Sequence, residues 1–237
     1  MNRTFSVGEA ISFGGQALGR HLGAWVLITF LFIVIMLAIN FIVGLLAPPG
    51  FFMGDGNGAI AWLILVNLIM LAVGGIFHMG YVRTTIKEAY GQMPEVMDLF
   101  SCIPLIGRYV LAYIFYTIIG VVSCAPGFIA IYLEIYLLIP VLLVPAIILL
   151  IRLWFFEYFI VDQEAGAIAS LQLSWNATAG NALKLLGLFL LTGIIIAAGL
   201  IACFVGILFT APLGLLSIAY AYKELSEPRG DFSQELF

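Results

Sequence analysis

Six polar side chains stand inside long apolar runs of this chain: Asn40, Asn67, His78, Glu134, Arg152 and Glu157. An ionisable group at the centre of a bilayer costs about 2.5 to 3.5 kcal/mol on insertion scales, so it faces a packed interior or water and has a partner. Arg152 within a span therefore calls for a counter-ion. Glu157 follows it at a poor helical spacing for a pair, which makes Glu134, reached across a helix interface, the better candidate. Such a pair lining a cavity is chemistry suited to carrying a solute or a lipid. If Arg152 instead sits near the membrane face, its stem can snorkel and no partner is needed. Asn40 and Asn67 are expected to act as interhelical hydrogen-bond glue. Other chemistry has little to work with. Two histidines and three cysteines show no metal-ligand spacing. There is no phosphate loop, nucleophile elbow or zinc-protease motif. The sequence therefore points to a non-enzymatic protein, with no metal and no cofactor.

The elements that hold these residues follow from composition. The chain is 64% hydrophobic and 9% charged, far from a soluble domain of this length, and the lipid bilayer is its expected surroundings. Nothing resembles a nucleic-acid patch. A spanning helix needs about 20 apolar residues, which predicts crossings at 24–46, 59–82, 105–124, 183–203 and 207–222 and one more in the run from Phe128 to Val161. That run would make about 51 Å of helix at about 1.5 Å per residue, too long for one straight crossing of a core about 30 Å thick. Either 129–151 crosses and the rest lies at the interface, or Phe128–Ile139 is an outer interfacial or re-entrant segment and 140–161 crosses from Pro140 or Pro145. The third crossing is expected to break at Cys124-Ala125-Pro126-Gly127, because proline cannot extend a helix and glycine permits the turn. Cys124 and Cys203 fall near outer helix ends, as packing thiols in preference to a disulfide. The first run is much longer than a signal-peptide core and is expected to be retained.

The fold class is thus an all-α, polytopic integral membrane bundle of about six transmembrane helices in three hairpins, forming a single domain over 1–237. With six crossings, Arg3, Arg20, Arg83, Lys87, Arg108, Lys184, Lys223 and Arg229 all fall on the side of the termini. The positive-inside rule makes that side the cytoplasm. Amphipathic segments lie there between crossings. Ser6 and Glu9 form a capping box ahead of a face made by Val7, Ala10, Ile11, Ala17 and Leu18, expected to lie on the inner leaflet. Ala165–Ala179 is similar, and Pro94 opens a short helix through Phe100. Gly19-Arg20 and Gly107-Arg108 align without gaps, and Gly180-Asn181 more faintly, which suggests three repeats of amphipathic segment plus hairpin. Gly15, Gly19 and Gly23 make small-xxx-small steps, as do Gly193 and Ala197, and such steps let helices approach closely, within the chain or between this protein and another.

Several stretches carry a family resemblance: Ser6 to Ala10, Asp98 to Ser101, and above all Phe159-Ile160-Val161-Asp162 followed by Gly166 to Ser170 and Leu173 to Asn181. They resemble a large group of bacterial six-helix inner-membrane proteins, including YciC-like proteins and the membrane domain attached to some glycerophosphodiester phosphodiesterases. The resemblance covers nearly the whole chain and implies a bacterial inner-membrane location. In that group a Pro-Gly opens the fourth span, where this chain has Val144-Pro145-Ala146, so the resemblance favours the crossing that starts at Pro140 or Pro145. No catalytic residue is implied, since the phosphodiesterase domain is absent. The leading functional expectation is a scaffold or accessory subunit that packs with other membrane subunits or with itself. The alternative is a transporter or channel for a small solute or lipid.

Overall fold

The computed structural model describes residues 4–47, 56–201 and 205–226. Among them every regular element is helical: α1 (Val7–Arg20), α2 (Leu22–Leu45), α3 (Gly56–Ile69), α4 (Gly75–Ala89), α5 (Ile106–Tyr132), α6 (Ile139–Leu153), α7 (Phe156–Gln163), α8 (Ala167–Ala177), α9 (Ala182–Ile201) and α10 (Ile207–Ser226). A π-helical turn, Met70–Gly74, joins α3 to α4. Short 3₁₀ turns precede α5 and α6. Five stretches are long and apolar enough to cross a membrane: Leu22–Leu45, Ile60–Ala89, Val96–Tyr132, Tyr136–Gln163 and Ala182–Ile201.

Helix α10, the expected sixth crossing, falls outside that set. It packs on α1, α9, α4 and α2, and Ser217 to Ala219, Ala221, Tyr222 and Leu225 of its second half are buried. Around it lies a core in which Phe155, Tyr158 and Phe159 surround Tyr222 with ring centroids 5.0 to 5.7 Å away. Met79, Val82 and Ile86 of α4 join the same core, as do Leu185 and Leu188 of α9. All of this lies where the described basic residues gather, so the bundle is densest at its basic end.

Helix α1 departs from the expected role. Ser6 caps it by accepting from the Glu9 amide at 3.5 Å. Its apolar face, however, is spent on the bundle rather than on a leaflet: Ala10, Gly14, Ala17 and Leu18 are buried, and Phe13 stacks on Tyr220 at 5.0 Å. The glycine that permits this contact is Gly14, where a Cβ would fall 2.6 Å from the Leu213 carbonyl. Around Gly15, Gly19, Gly23 and Gly193 a Cβ would meet nothing within 4 Å. The predicted packing stripe is therefore one residue out of register with the face that packs.

Helix α5, the third expected crossing, also differs from expectation. It runs through Pro126 and ends at Tyr132, because a membrane helix tolerates proline when its neighbours accommodate the freed carbonyl. Gly120 and Gly127 lie against Leu150 and Leu143 of α6. These small residues bring the two helices together across the proline. Reversal comes later, at Glu134, which takes φ 59°. There Ile135 donates to the Ala130 carbonyl at 2.9 Å and Glu134 to that of Ile131 at 3.0 Å, the Schellman pattern of helix ends. This break rules out 129–151 as one continuous crossing, and Phe128–Tyr132 is the last turn of α5 instead of a separate interfacial helix. Pro140 stands in the first turn of α6. Cys124 is a free thiol, while Cys203 lies outside the described residues.

Candidate functional site

Helix α4 carries His78 and α7 carries Glu157, and the packing of these two helices brings the side chains together. His78 Nε2 lies 3.0 Å from Glu157 Oε2. With the carboxylate ionised, the shared proton belongs on Nε2, which leaves the other ring nitrogen without a protein partner among the described residues. The Glu157 side chain is 10% exposed and that of His78 38%. The pair is therefore sealed at the acid and open at the imidazole. Phe156, next to Glu157, packs on Tyr109 and Tyr116 with centroids 6.2 and 5.3 Å away. Tyr109 comes in over Gly75, where a Cβ would sit 2.6 Å from its Cε1.

Above His78 a cavity of about 820 Å³ opens between α2, α3, the π-helical turn and α5. Its walls are apolar: Phe32, Met36, Ile64, Leu68, Leu71 and Ile118. Five polar side chains face it, and two of them are occupied by their own helices. Asn67 donates to the Leu63 carbonyl at 2.8 Å and Thr117 to that of Tyr113, also at 2.8 Å. His78, Tyr109 and Tyr113 are the remaining polar groups of an otherwise oily space. The π-helical turn inserts one residue into the helical register and so rotates the face that follows it; such turns recur at functional sites.

The other expected partners are not brought together. Glu134 sits at the turn before α6 and Arg152 in the last turn of that helix, whose 15 residues rise about 22 Å, so the proposed Arg152–Glu134 pair does not form. Arg152 instead lies over the Trp175 ring, its guanidinium carbon 3.4 Å from the centroid, and its Nη2 donates to the Trp175 carbonyl at 2.7 Å. Asn40 bonds the Met36 carbonyl of its own helix at 2.8 Å, as Asn67 does Leu63. In both, the amide satisfies a local carbonyl, so neither is interhelical glue.

The basic end holds a second set of pairs that the sequence reading did not single out. Glu88 is buried, with His21 Nδ1 at 3.0 Å and Arg20 Nη2 at 3.8 Å. Lys87 donates to Asp98 at 2.6 Å, and Tyr222 to Asp162 at 2.8 Å. Arg108 lies 3.9 Å from the Glu164 carboxylate and donates to the Glu164 carbonyl. The aligned arginines Arg20 and Arg108 thus each meet a glutamate at the end of a later helix. The available signal was the alignment itself, which marked the arginines without their acids. Among the described residues no three His, Cys, Asp or Glu side chains gather as metal ligands.

No protein-family model, curated protein or solved structure matches this chain.

Proposed function

We propose that this chain is a non-catalytic, multi-pass membrane protein that binds a small lipid-like molecule or solute in the cavity above His78, as a carrier does. The observation that carries the reading is the His78–Glu157 pair at the floor of an apolar cavity. An intramembrane ionisable pair is costly to maintain without a use, and an apolar pocket with few convergent polar groups is the usual form of a binding site. The ligand's apolar body lies along α2, α3 and α5, and its polar group meets the imidazole. In this reading α10 is a sixth crossing, which puts both termini and the described basic residues on the cytoplasmic face by the positive-inside rule. The membrane is the bacterial inner membrane, in keeping with the resemblance to YciC-like proteins.

Replacing one partner would strand a charge, whereas replacing both with apolar residues of similar volume is often neutral to stability. The test therefore uses the double variant His78→Leu, Glu157→Met. The full chain is extracted into bilayer discs and its bound small molecules are read by native mass spectrometry. A discrete adduct on the wild-type chain, reduced at least about tenfold in the double variant, supports the reading. Equal adducts on both, or none on either, defeat it.

A second reading, an accessory subunit, has its own observation: Gly15, Gly19 and Gly23 are exposed and unoccupied by this chain. A close-packing face without an internal neighbour suits another subunit or a second copy. If the protein purified in mild detergent is a monomer with nothing bound, that reading fails.

A further inference from the structure

A second groove, distinct from the cavity above His78, runs between α5 and α8 toward the basic end. Its volume is about 530 Å³, and Phe115, Ile119, Leu153, Ile168 and Leu171 line it. Gln172, Trp175 and Asn176 of α8 line it as well, and Arg152 is stacked on that same Trp175. We propose that this groove and Arg152 form a binding site for an anionic phospholipid, with one acyl chain in the groove and the phosphate on the guanidinium.

Charge is the first argument. Arg20, Lys87 and Arg108 each have a carboxylate within 4 Å, whereas Arg83, Lys184, Lys223 and Arg152 have none among the described residues. Arg152 makes no ion pair among the described residues, and its Nε is buried without a hydrogen-bond partner. A cation in the last turn of an apolar helix therefore lacks a counter-ion, and the phosphate of a lipid is the anion that its surroundings supply.

Preorganisation is the second. The Arg152 carbonyl accepts from Ser174 at 2.8 Å and from Thr178 at 3.0 Å, which ties the end of α6 to α8. Stacking on Trp175 and the bond from Nη2 to its carbonyl fix the plane of the guanidinium. Only part of its donor capacity is used, and a planar guanidinium suits phosphate oxygens better than a lysine does.

Third, the groove and the cation meet at one indole ring. Neither an inorganic anion nor an uncharged lipid would use both. The occupant that does is an anionic lipid.

The full-length protein is mixed with equal amounts of short-chain phosphatidylglycerol and phosphatidylcholine, and bound lipid is counted by native mass spectrometry. The wild-type chain is expected to hold phosphatidylglycerol at least about fivefold over phosphatidylcholine. Arg152→Gln should abolish that preference, and Arg152→Lys should weaken it. Ile168→Trp, which fills the groove and keeps the charge, should lower phosphatidylglycerol retention by a similar factor. Glycerol phosphate, which has the anion without the chains, should not compete at the concentration of the lipid. An unchanged preference in Arg152→Gln overturns the proposal, as does equal competition by glycerol phosphate. Should Arg152→Gln fail to fold, Ile168→Trp decides alone: undiminished retention in that variant overturns the site.

Discussion

At the basic end Trp25, Phe155, Tyr158 and Tyr222 are fully buried, and the acids Glu88, Asp98 and Glu157 are buried beside them. In the opposite half Leu37, Phe41 and Leu137 are 64%, 68% and 88% exposed. The same helices pass through both regions, and the structure has five stretches long and apolar enough to cross a membrane. A helix surrounded by lipid gains nothing by burying leucine against leucine, since lipid tails are equally apolar; packing and hydrogen bonds must hold it together instead. Where the helices leave the hydrocarbon, burial of aromatic rings and paired charges stabilises the bundle in the ordinary way. The His78–Glu157 pair lies between the two regions, its acid packed against the aromatic core and its imidazole open to the apolar cavity.

The contrast can be broken by substitution. The largest effect is expected at Gly80, where a Cβ would fall 2.5 Å from the Leu99 Cα and only backbone movement could relieve the clash. Gly80→Val should leave no folded fraction when the protein is assayed by size exclusion after extraction. Next comes Tyr222→Ala, which removes a ring from the aromatic core and the bond to Asp162. Its cost should be about 3 to 5 kcal/mol, the range for large core aromatics, read from unfolding in mixed micelles. In the apolar half the counterpart Leu37→Ala should stay within about 0.5 kcal/mol, as exposed substitutions do. A comparable loss at both positions would mean that the two halves do not differ as described.

Smaller changes sharpen the picture. Glu88→Gln keeps the shape and removes the charge that His21 and Arg20 share, and a loss of about 1 to 3 kcal/mol is expected for hydrogen bonds to a buried charged group. Gly15→Leu should alter thermal stability least, by no more than about 0.5 kcal/mol, since its Cβ meets open space. A cost well above that would place Gly15 against a neighbour in the folded chain.

Some of this architecture was legible in the sequence and some was not, for physical reasons. Apolar length locates a membrane helix because the bilayer demands it, and the runs around Leu22–Leu45 and Ala182–Ile201 were evident on that ground. Ser6 as a cap followed from its side chain and the Glu9 spacing. Pro126-Gly127, by contrast, looked like a break and is not one, while the true reversal lies at Glu134, a residue with no turn signature. Lipid explains both: it penalises an open backbone more than a proline inside a helix, and the turn is fixed by backbone bonds to Ala130 and Ile131. The polar residues of the candidate site were identified individually, but their pairing was not. His78 and Glu157 lie on helices far apart in sequence, and only the packing of α4 on α7 unites them. Arg152 and Glu134 were paired by charge alone, although α6 holds them at its opposite ends. Glycine spacing marked α1 as a close-packing helix and missed the register, because Gly14 and Gly15 differ only in the direction that the helix presents to α10.

Collision accessibility of spin labels tests the two-solvent account most directly. With the chain in bilayers, a label at Phe41→Cys or Ile118→Cys, in the apolar half, should collide readily with oxygen and hardly at all with a water-soluble nickel chelate. A label at Ser12→Cys or Gln16→Cys on the exposed side of α1 should show the reverse. Equal access of the nickel chelate to both pairs would contradict the account, because the apolar half would then be facing water.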